Sequence, residues 1–209
     1  MSHPADNRRP IKARSASWAQ RFAQWLAQRS ITPNQISVTS IFFAAIGAWL
    51  LWRVPSLVGW LGAAACIQLR LLCNLFDGMV AVEGGKRSAV GELYNEFPDR
   101  VADSLLLVAL GYASGWAWLG WFGALAAALT AYVRLFGGAL GFAQDFRGPM
   151  AKQHRMFVLT IACVVTVLED TFNGSCYALL VAAVVIAVGA VLTCFTRTSA
   201  IARQLKQPK

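Results

Sequence analysis

The chain has 209 residues, of which 57% are hydrophobic and only 14% charged, and it carries a net charge of +9. A soluble domain is ordinarily about 25% charged, so that class is excluded and a membrane protein is expected. Five cysteines (Cys66, Cys73, Cys163, Cys176 and Cys194) stand singly, without metal-ligand spacing, and read as buried thiols acting as small hydrophobes.

Residues 1–14 are polar and read as a disordered tail. The first thirty residues lack the apolar stretch and small-residue cleavage site of a signal peptide, so none is expected. In "SASWAQRFAQWLAQRS" (15–30), Trp18, Phe22, Trp25 and Leu26 recur at helical spacing with Gln and Arg elsewhere. That pattern suits a helix lying in the membrane interface or an amphipathic helix packed on protein. In "ITPNQIS", Pro33 breaks this helix and Asn34 is placed to cap the next. Six apolar runs follow, at about Ile36–Trp52, Ser56–Phe76, Gly91–Tyr112, Trp116–Leu135, Arg155–Leu168 and Cys176–Phe195. Runs of about 20 residues cross a bilayer as helices, and the fifth is the shortest. The expectation is an all-α, six-span protein with an interfacial N-terminal helix. One membrane unit would cover 15–200, with a basic tail at 201–209.

The basic residues fall on one side of this arrangement. Arg8, Arg9, Lys12, Arg14, Arg21 and Arg29 precede the first run, and Lys86 and Arg87 lie between the second and third. Arg134, Arg147, Lys152 and Arg155 surround the link between the fourth and fifth, and Arg197, Arg203, Lys206 and Lys209 follow the sixth. Only Arg53 falls in an opposite-side link, and the link at Glu169 and Asp170 is acidic. This asymmetry places both termini in the cytoplasm. The positive charge reads as a topology signal and an attractor for anionic lipids rather than for nucleic acid. Trp52, Trp60, Trp116, Trp118 and Trp121 sit near the far ends of the runs and read as interfacial anchors.

The acidic residues are concentrated instead. Of ten in the chain, Asp77, Glu83, Glu92, Glu96, Asp99 and Asp103 lie in the stretch "NLFDGMVAVEGGKRSAVGELYNEFPDRVAD", Asn74 to Asp103. Arg70, Asn74 and Asp77 share one helical face on the second run, and Asn95, Asp99 and Asp103 share one on the third. Ionisable groups at membrane depth normally face a bundle interior or a wet cavity, so the two faces are expected to meet. Converging carboxylate and amide oxygens suit Mg²⁺ or Mn²⁺, and with Lys86 and Arg87 nearby they suggest a metal–phosphate site. A buried salt-bridge network joining the two helices is the alternative. A rise of about 1.5 Å per residue puts Asp103 roughly 12 Å from the level of Asn95, too far for one ion to bind both. Arg70 and Asp103 lie at similar depth and are expected to be counter-ions. Asn74, Asp77, Asn95 and Asp99 remain for the shallower site.

The stretch resembles the signature of the CDP-alcohol phosphotransferase (CDP-alcohol phosphatidyltransferase) family, D-x-x-D-G-x-x-A-R-x8-G-x3-D-x3-D. Here the line reads Asn74-x-x-Asp77-Gly78-x-x-Ala81-Val82-x8-Gly91-x3-Asn95-x3-Asp99. The spacing matches throughout, while Asn74 and Asn95 replace aspartates and Val82 replaces the arginine. "ITPNQIS" is similar to the family's lead-in to its first span, and "GPMAKQHR" to the basic segment before its fifth. The resemblance implies a membrane enzyme that moves a phosphatidyl group from a CDP-linked lipid, such as CDP-diacylglycerol, to an alcohol or polyol phosphate and releases CMP. It implies Mg²⁺ or Mn²⁺ at Asp77 and Asp99, with Asn74, Asn95 and Asp103 as further candidate ligands and Asp99 as candidate base. It puts Pro33, Asn34, Gly78, Ala81, Lys86, Arg87 and Gly91 on the nucleotide side, Gly91 serving close helix packing. Arg134, Lys152 and Arg155 would meet the acceptor, or serve only as positive-inside residues. A homodimer in the inner (plasma) membrane is implied as well. The two asparagines leave open one metal or two, and leave open a non-catalytic lipid- or nucleotide-binding relative. A small transporter using Arg70 and Asp103 is a further alternative.

Overall fold

The computed structural model describes residues 16–86 and 88–206, and among them it is all-helical, without a strand. The expected tail at 1–14 and the candidate Arg87 lie outside the described residues. Seven helices follow one another: α1 Ser17–Gln28, α2 Pro33–Arg53, α3 Leu57–Val82, α4 Gly91–Ala113, α5 Ala117–Ala139, α6 Lys152–Asn173 and α7 Tyr177–Lys206. Five of them, α2, α3, α5, α6 and α7, are long and apolar enough to cross a membrane. The sixth expected span, α4, has the length, but Glu92, Glu96, Asp99, Arg100 and Asp103 crowd it with charge.

The described residues divide into two compact units, the cut falling within α4 between Leu106 and Leu107. In the first unit, α2 starts on a reciprocal cap. The Thr32 hydroxyl accepts from the Gln35 N–H at 3.3 Å, and the Gln35 side-chain oxygen accepts from the Thr32 N–H at 2.9 Å. Thr32 therefore caps α2, not Asn34 as the sequence suggested. Proline is at home in the first helical turn, so the helix begins at Pro33 and Asn34 falls inside it.

Helix α1 lays Ala19, Ala23 and Leu26 against Leu75, Phe76, Met79 and Val80 of α3 and Ile36 of α2. Trp18, Phe22 and Trp25 stay about half exposed. Phe22 and Trp18 reach only the edge of this packing, at ring-centroid distances of 4.7 and 6.1 Å from Phe76. Leu26, grouped with the aromatics by spacing, lies on the buried small-residue face instead. Two adjoining faces of one helix are thus in use, and alanine makes the protein-facing one because it lets the backbones approach.

In the second unit, α7 packs on α5 and α6, while the end of α4 meets α5 through glycine. A Cβ on Gly111 would fall 2.5 Å from the Gly120 backbone, so neither position admits a side chain. Residues 140–151 are pinned by side chains. Thr193 accepts from the Met150 N–H at 2.9 Å, Arg155 donates to the Met150 carbonyl at 2.8 Å, and Arg197 donates to the Arg147 carbonyl at 2.8 Å. Gly148 takes φ 128° directly over Thr193, a conformation and a contact that only glycine tolerates.

Two bounds differ from expectation. Helix α6 extends beyond Arg155–Leu168 at both ends. Helix α7 runs through the anticipated tail as far as Lys206, with Ile201 buried and Arg203 and Lys206 complementing its C-terminal dipole.

Candidate functional site

The signature residues lie on the facing ends of α3 and α4 in the first unit. Asp77 is 5% exposed, Asp99 7% and Asp103 3%. Burying a carboxylate costs several kcal/mol unless partners repay it, and each has partners. The Ser37 hydroxyl donates to Asp77 Oδ2 at 2.6 Å, and the Gly78 N–H donates to Asp77 Oδ1. Ser37 belongs to "ITPNQIS", one helical turn past Pro33, so two of the sequence segments that carry the family likeness touch here.

Arg70 is fully buried. Its Nη2 donates to Asp103 Oδ1 at 2.6 Å and lies 3.5 Å from Asp99 Oδ1. The counter-ion expected for Arg70 is therefore present, and Asp103, a candidate ligand by resemblance, is committed to it. Arg70 Nε and Nη1 have no hydrogen-bond partner. On the other side of Asp99, Arg100 Nη2 lies 3.8 Å from Oδ2 and 3.9 Å from Glu96 Oε2. Asp99 is thus flanked by two guanidiniums.

Pro98 sits inside α4 immediately before Asp99. It has no N–H for the Tyr94 carbonyl, so the helix is locally weakened at the point where the motif turns its last aspartate inward.

The fit to a divalent cation rests on the donors. Asp77, Asp99 and Asn74 offer hard oxygens of the kind Mg²⁺ and Mn²⁺ prefer. The Asn74 Nδ2 is buried without a hydrogen-bond partner. A half-turn of that carboxamide exchanges Nδ2 for Oδ1, which a cation would satisfy. Among the described residues no three His, Cys, Asp or Glu side chains form a metal-binding group, so amide oxygens must complete any set. Asn95 is exposed.

The nucleotide-side candidates are mixed. Gly78 and Ala81 are half-buried beside Asp77. Lys86 does not reach freely outward: its ammonium donates to the Arg29 carbonyl at 2.6 Å and to the Ile31 carbonyl at 3.1 Å, closing the end of α1. Pro33 and Asn34 sit half-buried in the first turn of α2. A Cβ on Gly91 would meet only the Ser88 Oγ at 3.4 Å, so the close helix packing expected of Gly91 is absent and its place at the start of α4 is the simpler role.

The acceptor candidates lie in the second unit. A cavity of about 170 Å³ is lined by Arg134, Gln144, Asp145, Arg147, Arg197 and Gln204 among others. Arg134 is 8% and Arg197 4% exposed. Arg134 donates to the Gln144 side-chain oxygen and lies over the Phe146 ring at 5.1 Å. Arg197 also donates to the Thr130 carbonyl at 2.7 Å. Burial alone would push the Asp145 carboxyl up. The hydrogen bonds and charge of Arg147, with Arg197 behind them, outweigh it and hold the group below its ordinary value of 3.8. Arg155 and Lys152 are not among the residues lining the cavity; the buried Arg155 instead braces Met150. Arg197 and Arg147 take their places beside Arg134. Among the residues that reading the sequence missed, Arg197 was visible only as one more cytoplasmic charge. Arg100 was signalled by its i+4 spacing from Glu96, and Ser37 by a hydroxyl one turn after Pro33.

A search of curated proteins finds no match. Among solved structures the fold is similar to Mycobacterium tuberculosis phosphatidylinositol phosphate synthase (PgsA1). With CDP-DAG bound, that protein is 19% identical at a TM-score of 0.75, covering 89% of this chain and 94% of that one. Its complex with manganese and citrate is 19% identical at 0.75, covering 88% of each. The apo form is 18% identical at 0.73, covering 90% of this chain and 100% of that one. The likeness establishes a shared fold. The sequence model of one family, CDP-alcohol phosphatidyltransferase, matches residues 30–196, from just before the Thr32 cap to just before Arg197. On that match, spanning the variant signature and all five apolar helices almost in full, the chain belongs to the CDP-alcohol phosphatidyltransferase family.

Proposed function

We propose that the protein transfers a phosphatidyl group from CDP-diacylglycerol to an alcohol acceptor and releases CMP. The observation that carries this reading is the pair of buried motif carboxylates, Asp77 and Asp99, each oriented by its own partners. In the reaction an acceptor hydroxyl oxygen attacks the phosphorus bearing the diacylglycerol. The bond from that phosphorus to the bridging oxygen breaks, and CMP leaves with that oxygen. Asp99 accepts the hydroxyl proton, while Arg70 and Arg100 orient its two oxygens. Ser37 and the Gly78 N–H hold Asp77 for the diphosphate side of the site. Bound Mg²⁺ or Mn²⁺, gripped by Asp77, Asp99 and Asn74, would neutralise charge on the phosphate oxygens. The fold neighbour crystallised with CDP-DAG supports the donor class, and the one with manganese supports the ion.

The acceptor side is assigned to Arg134, Arg147 and Arg197, whose cavity suits an acceptor that carries a phosphate, such as a polyol phosphate. In the membrane, α4 serves as the sixth span: its 23 residues reach about 35 Å, and its Asp99 and Asp103 are buried. Helix α1 lies at the interface with Trp18, Phe22 and Trp25 toward lipid. Both termini are cytoplasmic in the inner membrane on this reading, which the basic asymmetry supports.

The test is a panel of serine, inositol, inositol phosphate, glycerol and glycerol 3-phosphate with CDP-diacylglycerol and Mg²⁺ or Mn²⁺, reading CMP and lipid product. Release of CMP with one phosphorylated acceptor is expected. A second reading, a non-catalytic lipid-binding relative, is favoured by the two asparagines of the signature. CDP-lipid bound without CMP release from any acceptor would establish it in place of the first.

A further inference from the structure

We infer that Asp145 is a built-in anion of the cavity in the second unit. It occupies the Arg147 guanidinium until the phosphate of an acceptor takes its place, and so sets how tightly phosphorylated acceptors bind. This deepens the reading of that cavity as the place of a phosphorylated acceptor, and rests on it.

Asp145 and Arg147 both line the cavity, together with Arg134 and Arg197. The guanidinium grips the carboxylate at both oxygens: Arg147 Nε donates to Oδ1 at 3.0 Å and Nη2 to Oδ2 at 3.0 Å. The same planar fork makes the same two-point fit to a phosphate. The carboxylate therefore fills a seat that an incoming anion would want. The hydrogen bonds and charge of Arg147, with Arg197 behind, keep Asp145 ionised at neutral pH.

Release asks for movement of one side chain. The Arg147 side chain is 72% exposed, against 16% for Asp145. The Arg147 backbone is held on both sides: its N–H donates to Asp145 Oδ1 at 2.9 Å, and its carbonyl accepts from Arg197 Nε at 2.8 Å. Gly148 follows, seated over Thr193. When the guanidinium swings to a phosphate, the backbone N–H stays on the carboxylate. The buried Arg134 and Arg197 need not move. Asp145 then opposes the phosphate twice, by competing for Arg147 and by its own negative charge.

The experiment compares the unaltered full-length chain in detergent with Asp145→Asn, which keeps the shape and removes the charge. CMP release is measured with CDP-diacylglycerol and either glycerol 3-phosphate, inositol phosphate or glycerol. Inorganic phosphate is added as inhibitor, and its effect on melting temperature is read separately, so that the test does not depend on turnover. In the variant, KM for the phosphorylated acceptor and the inhibition constant of phosphate should both fall about two- to fivefold, the range of a partly exposed ion pair. The kcat and the KM for glycerol should hold, and phosphate should raise the melting temperature more than in the parent. Constants that stay level or rise would overturn the inference while leaving the phosphorylated acceptor in place. A rise confined to KM would make Asp145 a partner of the acceptor's hydroxyls instead. If phosphate neither inhibits nor shifts melting in either protein, the cavity's phosphate role and this inference fall together.

Discussion

The two compact units treat buried charge in opposite ways. In the first, buried arginine meets buried carboxylate: Arg70 with Asp103 and Asp99. In the second, buried arginines meet neutral oxygens: Arg197 the carbonyls of Thr130 and Arg147, Arg155 the carbonyl of Met150, and Arg134 the Gln144 amide. Carbonyls satisfy a guanidinium's donors and leave its charge in place. Pairing with carboxylates cancels it. Among the described buried residues of the first unit, Asp77, Asp99 and Asp103 stand against Arg70 alone, while those of the second are Arg134, Arg155 and Arg197 with no buried carboxylate.

The contrast breaks most visibly at Asp99. Asp99→Ala should lower CMP release by about 10² to 10⁴-fold, the range for a lost general base, while the protein still inserts in membranes and Arg70 keeps Asp103. Normal turnover in that variant would remove the transfer reading. Arg70→Met should lower stability as well as transfer, since Arg70 lies against both Asp103 and Asp99. It removes the buried guanidinium 2.6 Å from the Asp103 carboxylate, at a cost of about 3–5 kcal/mol, read as a lower melting temperature in detergent. Arg70→Met/Asp103→Leu should recover most of that loss, because an apolar pair of similar volume needs no counter-charge. If the double variant melts no higher than the single, the pair is not the source of the loss.

In the second unit, Arg197→Gln should raise KM for a phosphorylated acceptor about tenfold or more, as expected for a charge-assisted hydrogen bond. KM for a neutral alcohol should move little, and an equal rise for both would point to loosening of residues 140–151 instead. The smallest effect belongs to the pair of half-buried Asp145 and exposed Arg147, 3.0 Å apart. Asp145→Asn should cost less than about 1 kcal/mol at neutral pH. Because the folded carboxyl titrates below its ordinary 3.8, its contribution is full above that value. It fades as pH falls through the lower folded value, so melting curves of variant and parent should converge in acid.

Much of this was readable residue by residue. Helix spacing put Arg70, Asn74 and Asp77 on one face and Asn95, Asp99 and Asp103 on another, and the rise per residue put Arg70 level with Asp103. Those are local regularities, and the observed pair at 2.6 Å obeys them. The variant signature was legible through its resemblance to the family's line, which keeps the spacing while three residues differ. Where local rules competed, reading failed. Asn34 and Thr32 are both good caps, and only the helix start at Pro33 chooses between them. Leu26 shares its spacing with Trp18 and Phe22, yet α3 takes the alanine face.

By itself, the order of residues determined an all-helical chain of apolar segments, with its charges sorted along the sequence and a family signature at helical spacing. Periodicity and hydropathy act within a single segment, and a linear chain records them directly. Only the tertiary structure decided the partners: Ser37 for Asp77, Arg100 for Asp99, carbonyls rather than carboxylates for Arg155 and Arg197, and backbone oxygens for Lys86. Those choices join residues far apart in sequence, and which of several equivalent donors meets an acceptor depends on how helices pack, which no single segment encodes.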